Sequence, residues 1–322
     1  MKTTALYSRH LQFKAKMTPF EGWNMPLMYS SVLKEHHDVR NKAGIFDVSH
    51  MGILFIKITK KDSSFENNHL TTSISNIAKG KIKYLKILND NKGILDDALA
   101  YKFDSEKIML VVNASNTEKV ESYLKDKKIS VKKQKMGIIA VQGPTALTII
   151  NRLINIKNLK YYNFIETTIL GEKVIISRTG YTGEDGIELY TKNNIDKFWD
   201  FFIEKGVTPC GLAARDILRI EAGLPLYGHE LNQALTDNET KKILGIEMLS
   251  KAIPRNKYLV FTNGNENGYI TSGTYSPSLD KSIAMAYINN VKAGDKVEVE
   301  IRKKRHPAKV VLLPFYKRSK LI

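Results

Sequence analysis

The order of strand and helix patterns along the chain limits its fold more than any other feature. Up to about residue 222 the two patterns alternate, and beyond residue 268 only strand patterns remain. Such an order is typical of an α+β protein with a separate, β-rich C-terminal domain. In the early part we expect strands over 53–58, 81–88, 98–103, 107–113, 137–141 and 174–177.

Helices are predicted from apolar spacing and from residues that favour helix ends. Ile195, Phe198, Trp199 and Phe202 recur at helical intervals and predict an amphipathic helix that ends near Gly206. Asn116 is a candidate N-cap for a helix over 116–128. Further helices are predicted over 143–154 and 212–222, late strands over 269–270, 282–288, 296–301 and 308–313, and turns over 263–268 and 303–306.

Length and composition exclude several classes of protein. The chain has 322 residues, enough for two or three domains, and 43% of them are hydrophobic, which supplies a large core. It has no membrane-length apolar run, and the N-terminal residues lack the apolar block of a signal peptide. Cys210 is the only cysteine, so a cytoplasmic protein without disulfides or a cysteine metal cluster is expected. The seven histidines show no metal-binding spacing, and no metal is predicted.

The formal net charge of +17 permits two interpretations. It could serve a nucleic-acid partner, or it could reflect composition and the docking of an acidic protein. The basic clusters are scattered and are not interleaved with aromatic residues as in an RNA-stacking surface. The second interpretation is therefore favoured, and nucleic acid is an unlikely partner.

Asp96 and Asp97 stand inside an apolar stretch of strand length that continues to Tyr101. Adjacent residues on a strand point to opposite faces, so one carboxylate can face solvent while the other faces inward. An inward carboxylate must be paired or must have a function, because its burial is costly. The alternative from these residues alone is a turn with two solvated aspartates.

The segment 178–190 concentrates glycine, acidic, arginine and tyrosine residues in one loop. It lacks the Gly-Lys-Ser/Thr ending of a phosphate loop, and its glycines alone are compatible with an ordinary turn. Glu188 begins the alternating segment that follows, where a carboxylate could accept hydrogen bonds from an amino-pyrimidine edge.

Other candidates are open to a structural interpretation. Arg215 and Arg219 share one helix face, either as a surface salt-bridge ladder or as an arginine directed at an anionic or carbonyl-bearing ligand. His50 is predicted to be structural rather than catalytic, and Cys210 is predicted to be a small buried residue.

Taken together, these segments resemble the aminomethyltransferases, the T-proteins of the glycine cleavage system. Matching segments run in family order from end to end, and the ordered set is far more specific than any one of them. They comprise residues 19–27, 35–40, 44–52, 93–97, 111–114, 142–144, 178–188, 211–221, 226–230, 271–277 and 314–316.

The resemblance implies a three-domain α+β ring around a central folate channel. A first domain would be formed by 1–51 with 137–230, a second by 52–136 with a shortened return segment near 231–250, and a β-barrel-like domain by 251–322. The implied reaction moves a methylene group from the aminomethylated lipoyl arm of H-protein to tetrahydrofolate and releases ammonia. Tetrahydrofolate would act as co-substrate, and lipoylated H-protein would be the partner.

The resemblance also implies functional residues. Asp97, the second of the pair, matches the critical carboxylate, and Asp96 would face away from the site. Glu188 matches the residue that holds the pterin, and Arg215 matches a folate-contacting arginine. Positions expected to line the folate pocket are Met51, Tyr84 and Tyr101, with Asn113 and Tyr316 as weaker candidates.

The chain departs from the family pattern after Thr236, where a couple of dozen residues, including a tryptophan near the folate site, have no counterpart. Glu21 is a lesser departure, since a small residue is usual there. Three explanations are open: the lineage tolerates the loss, the gene boundaries are wrongly assigned, or activity is impaired because folate binds more weakly. Two alternative functions follow: another tetrahydrofolate-dependent transferase or demethylase on the same fold, and a non-catalytic folate-binding or RNA-associated relative.

Overall fold

The computed structural model describes residues 1–240 and 242–318. The chain divides into two compact units, each described by itself below. The first unit consists of Met1–Gly180 and Glu184–Ala213, and the second of Tyr181–Gly183 together with the chain from Ala214 onward. The first unit contains both helices and sheets, and the second is dominated by strands.

A six-stranded sheet forms one part of the first unit. Its spatial order is β10-β11-β12-β9-β3-β13, and all neighbours are antiparallel except β3 and β13. The strands are β3 (Gly44–Asp47), β9 (Gly137–Gln142), β10 (Phe164–Ile169), β11 (Glu172–Ser177), β12 (Gly186–Thr191) and β13 (Thr208–Pro209).

The helix α6 (Ile195–Glu204) lies on this sheet as the apolar spacing predicts. Phe198, Trp199 and Phe202 are completely buried with the sheet residues Ile139 and Leu189 in one core cluster. The burial of these large side chains is what stabilises the helix on the sheet.

A five-stranded antiparallel sheet forms the other part of the first unit, in the order β5-β6-β7-β4-β8. The helix α4 (Thr117–Asp126) buries Val120 and Leu124 in the core of this sheet. The strands are β4 (Gly52–Lys57), β5 (Ile82–Leu88), β6 (Ile94–Lys102), β7 (Lys107–Val112) and β8 (Ser130–Lys133).

The remaining elements of the first unit are short. A hairpin pairs β1 (Lys16–Phe20) with β2 (Trp23–Met28), and its turn places Glu21 in a left-handed conformation with φ 48°. The helices are α1 (Tyr7–Gln12), α2 (Val32–Asn41), α3 (Ser63–His69), α5 (Ala146–Ile150) and the start of α7 (Leu212–Glu221).

The second unit contains a closed antiparallel barrel with the strand order β14-β17-β16-β15-β18-β19. Small side chains such as Ala284, Ala286 and Ala308 alternate in its core with Ile246 and Val260, which suits the limited interior of a six-stranded barrel. A short helix α8 (Asp237–Thr240) precedes the strands β14 (Ile243–Met248), β15 (Leu259–Thr262), β16 (Asn265–Ser276), β17 (Lys281–Ile288), β18 (Lys296–Ile301) and β19 (Lys304–Val311).

The α+β class and the β-rich C-terminal part are confirmed. The barrel nevertheless takes its first strand from β14, before the predicted start at residue 251. The three-domain division with 1–51 and 137–230, 52–136, and 251–322 stays a proposal. Among the described residues, no helix is long and apolar enough to cross a membrane.

Several local predictions differ from the structure. The turn predicted over 263–268 is limited to Asn263 and Gly264, because β16 begins at Asn265. The helix predicted over 143–154 is limited to α5, followed by turns, and the strand predicted over 98–103 begins earlier and includes both aspartates. The turn predicted over 303–306 lies instead at Arg302 and Lys303. Both of these residues have positive φ, as a tight turn between antiparallel strands requires.

Candidate functional site

The two aspartates lie early on β6, after the tight turn that joins β5 to β6. Asn89 shapes that turn, because its Oδ1 accepts hydrogen bonds from the backbone N–H groups of Asn91 and Gly93 at 3.0 and 2.9 Å. Lys86 lies directly opposite Asp97 in the strand register. The turn therefore sets which side chains of β5 face each carboxylate.

Asp96 is fully buried, so the alternative of two solvated turn aspartates does not hold for it. Its Oδ2 accepts a hydrogen bond from the backbone N–H of Asn113 at 3.0 Å. Its Oδ1 accepts from the Nδ2 atoms of Asn113 and Asn116 at 2.8 and 2.6 Å. Strand alternation does place the two aspartates on opposite faces, but the face of Asp96 is covered by the segment between β7 and α4.

Asp97 is half-buried and is held by different groups. Its Oδ1 accepts a hydrogen bond from Nδ2 of Asn113 at 2.7 Å, and the hydroxyl of Tyr84 also hydrogen-bonds to its carboxylate. Tyr84 is 37% exposed on the neighbouring strand, opposite Leu99. Asp97 is thus a restrained carboxylate at the edge of the accessible surface.

Both carboxyl groups have raised pKa values. Burial, followed by the charge of Asp97, raises the pKa of Asp96 to about 7. Burial also raises the pKa of Asp97, although the hydrogen bonds from Asn113 and Tyr84 and the charge of Lys86 oppose this effect. Perturbed pairs of carboxyl groups are frequent at sites that transfer protons.

Glu188 forms a second polar cluster in the same unit, on β12. Its Oε2 accepts hydrogen bonds from the hydroxyls of Thr179 and Tyr190, both at 2.8 Å. Within the part of the chain that the structure describes, its Oε1 accepts no hydrogen bond. The carboxylate is therefore fixed through one oxygen, and the other accepts no hydrogen bond from the described residues.

Tyr101 connects the two clusters. It lies four residues after Asp97 on the same face of β6, roughly 13 Å along the strand. Its hydroxyl lies 2.7 Å from that of Tyr190 and 3.5 Å from Oε2 of Glu188, and its side chain is fully buried. Tyr101 thus lies on the Oε2 side of Glu188, where it helps to hold the carboxylate.

The structure places the other predicted residues as follows. Met51 is half-buried immediately before β4, and the side chain of Asn113 lies between the two aspartates. In the second unit, the guanidinium of Arg215 lies over the ring of Tyr181, 4.8 Å from its centroid. Tyr316, also in the second unit, donates its backbone N–H to the carbonyl of Glu221 at 2.8 Å.

Arg219 does not share the surroundings of Arg215 on α7. It is 1% exposed, and it contacts Glu230 at 2.8 Å and the hydroxyl of Ser272 at 2.6 Å. Its interaction with Asp216 matches the predicted ladder, but the buried pair with Glu230 is the dominant one. The two arginines therefore have different roles, and Arg219 is structural within the second unit.

The glycine-rich loop is held by its own charged residues. Arg178 donates to Oδ2 of Asp185 at 2.5 Å and to the carbonyl of Leu159 at 2.8 Å. Glycine is required at Gly186, because a Cβ there would lie 2.2 Å from the carbonyl oxygen of Val141. The loop leads into β12 and so fixes the position of Glu188.

One buried acid–base pair was not predicted from the sequence. Nε2 of His10 lies 2.8 Å from Oδ2 of Asp47, and both side chains are fully buried. Burial opposes ionisation of Asp47, but the hydrogen bond and charge of His10 hold its pKa below the usual range. The two partners are 37 positions apart in the chain, so no local sequence pattern indicates the pair.

His50 and Cys210 are buried, as a structural interpretation requires. The ring of His50 packs edge-on against Phe20, with the centroids 5.5 Å apart. Among the described residues, no group of three or more His, Cys, Asp or Glu side chains is arranged to hold a metal ion.

The fold corresponds to two known domain families in succession. Residues 6–244 match the GCVT N-terminal domain, and residues 241–317 match the glycine cleavage T-protein C-terminal barrel domain. The chain therefore belongs to a class of enzymes in which an α+β part precedes a C-terminal barrel, as in the T-proteins.

Individual relatives agree with this class. The chain is 40% identical to an aminomethyltransferase of Thermosipho melanesiensis, covering 99% of this chain and 98% of the relative. It is 38% identical to an aminomethyltransferase of Bacillus subtilis, covering 99% and 100%. A crystal structure of the glycine cleavage system aminomethyltransferase T from Bartonella henselae superposes with a TM-score of 0.89 at 30% identity, covering 98% of both chains.

The chain belongs to the aminomethyltransferase family, the T-proteins of the glycine cleavage system. Its activity is that of a transferase with tetrahydrofolate as co-substrate. The alignment with the Thermosipho relative runs over 357 positions, 35 more than the 322 residues of this chain. At least that many positions of the relative therefore have no counterpart in this chain, and their location after Thr236 stays a prediction.

Proposed function

We propose that Asp97 is the catalytic carboxylate with which this chain transfers the methylene group of aminomethylated, dihydrolipoyl H-protein to tetrahydrofolate. The observation that carries the proposal is the half-buried position of Asp97 between Asn113 and Tyr84, beside a buried second carboxyl. A carboxylate held in this way stabilises the positive charge that develops as ammonia leaves, and it can orient the folate nitrogens.

The polar groups of the first unit fit a pterin. Oε1 of Glu188 and Oδ1 of Asn113 accept no hydrogen bond from any residue that the structure describes. A pterin presents N–H donors, and each of these oxygens can accept one. Glu188 would hold the ring, Met51 and Tyr84 would line its pocket with Tyr101 behind them, and Arg215 and Tyr316 remain candidates in the second unit.

Lipoylated H-protein is the proposed partner, and the cytoplasm is the proposed location. The net charge of +17 suits the docking of an acidic carrier surface. The full-length correspondence to aminomethyltransferases favours this function over a demethylase, a non-catalytic folate binder or an RNA-associated relative.

The test is ammonia release from aminomethylated H-protein, with and without tetrahydrofolate. Asp97→Asn removes the charge at nearly constant size, and we expect a loss of folate-dependent release of at least about 100-fold, in the range of a lost acid–base or electrostatic group. Asp126→Asn is the matched control, since Asp126 is exposed at the end of α4 and its loss carries the same charge change.

The outcomes separate the hypotheses. Unchanged release by Asp97→Asn would contradict the role of Asp97. An inactive native protein that consumes a small methylated donor in the presence of tetrahydrofolate would instead support the demethylase alternative.

A further inference from the structure

The side-chain amide of Asn113 joins the two aspartates. Its Nδ2 lies 2.8 Å from Oδ1 of Asp96 and 2.7 Å from Oδ1 of Asp97. A primary amide nitrogen carries two protons, so one can be donated to each carboxylate. The opposite amide orientation would place Oδ1 against two carboxylate oxygens, and the resulting repulsion excludes it.

The carboxylate of Asp96 is enclosed by hydrogen-bond donors. Three N–H donors from Asn113 and Asn116 surround its carboxylate, and the carboxylate is fully buried. Asn116 occupies the N-cap position of α4, yet its side chain caps no helix N–H and is committed to Asp96. The N-cap residue of α4 therefore stabilises the carboxylate of Asp96 and not the helix end.

We propose that Asp96 is a positioning residue that fixes the amide of Asn113, so that its nitrogen restrains Asp97 and its Oδ1 accepts a hydrogen bond from an N–H group of the substrate. The proposal rests on the proposed function of Asp97. Asp96 itself touches no substrate and acts through Asn113.

The charged groups around the pair determine how this arrangement responds to pH. Asp96 faces the charges of Asp97 and of Lys119 on α4, while Asp97 faces Lys86 and the hydroxyl of Tyr84. A neutral Asp96 accepts hydrogen bonds more weakly than the carboxylate does. Activity should therefore fall as the pH drops through about 7, the raised pKa of Asp96.

A double-mutant cycle tests the proposal. The turnover number for ammonia release is measured for the native protein, Asp96→Asn, Asn113→Ala and the double variant. We expect a reduction of roughly tenfold or more in Asp96→Asn, with the loss of the acid limb near pH 7. The double variant should be no slower than Asn113→Ala alone, because residues that act through one group are not additive. The proposal would be overturned if the effects of the two single substitutions on the turnover number multiplied in the double variant. It would also be overturned if Asp96→Asn turned over as fast as the native protein.

A milder variant covers the case in which Asp96→Asn does not fold. Asn116→Ala removes one hydrogen-bond donor from Asp96. It should not weaken the N-terminus of α4, because the side chain of Asn116 caps no backbone N–H of that helix. The ionised form of Asp96 then loses one hydrogen bond, so the midpoint of the acid limb should move to higher pH. An unchanged midpoint would contradict the proposal.

Nuclear magnetic resonance of the side-chain amide of Asn113 separates this inference from the proposed function. In protein labelled with ¹⁵N-asparagine, the two amide protons should shift with pH in the native protein, and this titration should change in Asp96→Asn. A pH-independent amide that is identical in both proteins overturns the inference, whether or not ammonia is released. A titrating amide in a native protein that releases no ammonia refutes the proposed function alone.

Discussion

Asp96 and Asp97 are adjacent and chemically identical, yet their surroundings give them different properties. Asp96 is enclosed by amide donors, whereas Asp97 meets Tyr84 and Lys86 at an accessible edge. Burial raises the pKa of both carboxyl groups, and the two charges oppose each other. At the residue scale, the pair consists of a fully buried carboxyl, to which we assign a supporting role, and a more accessible one, to which the proposed function assigns the chemistry.

The raised pKa of Asp96 predicts a specific pH dependence of stability. Between the ordinary value of 3.8 and about 7, the folded state keeps a proton that the unfolded state releases. The free energy of unfolding should therefore fall as the pH rises through this window, and then level off. Urea denaturation of the native protein and of Asp96→Asn at several pH values measures this free energy. The value for the native protein minus the value for the variant should decrease from pH 5 to pH 8. A constant difference would contradict the raised pKa.

Glu188 supports a second prediction at this scale. Glu188→Gln keeps an oxygen for Thr179 and Tyr190 but places a donor where Oε1 accepts. The lost charged hydrogen bond should weaken tetrahydrofolate binding by about 1.5–3 kcal/mol, or roughly 10- to 100-fold. Isothermal titration calorimetry measures this change. Glu166→Gln, on an exposed position of the same sheet, should bind like the native protein.

At the scale of elements, α6 shows how a spacing pattern becomes a packed helix. Its apolar residues recur at helical intervals and are buried on the six-stranded sheet, as predicted. The segment predicted as a helix over 143–154 instead forms the short α5, because Asn151 accepts a backbone hydrogen bond from Ile156 and supports a turn. Side-chain to backbone hydrogen bonds of asparagine compete with helix in this way.

The packing of α6 predicts a large difference between two phenylalanines of the same helix. Phe198→Ala should lower the free energy of unfolding by about 3–5 kcal/mol, because it leaves a cavity in the core. Phe198 is fully buried, whereas Phe201 is only partly buried at the margin of the cluster. Phe201→Ala, with the same change in helix propensity, should cost clearly less in urea denaturation. Equal costs would contradict the assigned packing.

At the scale of the whole molecule, the chain corresponds to its relatives over nearly their entire length, although it is shorter. The barrel strands from Ile243 follow α8 closely, in the region where residues of the family pattern are predicted to be missing. Each unit has its own core, and the chain as it stands forms a closed barrel and two sheets.

The net charge makes a prediction for the whole molecule. If the net positive charge of this chain attracts H-protein, association should weaken as salt rises, since the Debye screening length falls to about 8 Å at 0.15 M ionic strength. Surface plasmon resonance with lipoylated H-protein at increasing salt measures the association rate. The melting temperature, followed in parallel, shows that the enzyme stays folded, and an association rate independent of salt would count against electrostatic docking.

The sequence by itself determined the α+β class, the terminal β domain and the family, and it located part of the strands and helices, because these depend on local periodicity and on motifs read in order. It also singled out Asp97, Glu188 and Asn113 as candidates. Only the tertiary structure decided that Asp96 is buried, that Asn113 joins the two carboxylates, and that Asn116 serves Asp96 instead of capping α4. The physical reason is that burial and hydrogen-bond partners come from segments such as β7 and α4, whose placement beside β6 is set by packing and not by neighbours in sequence.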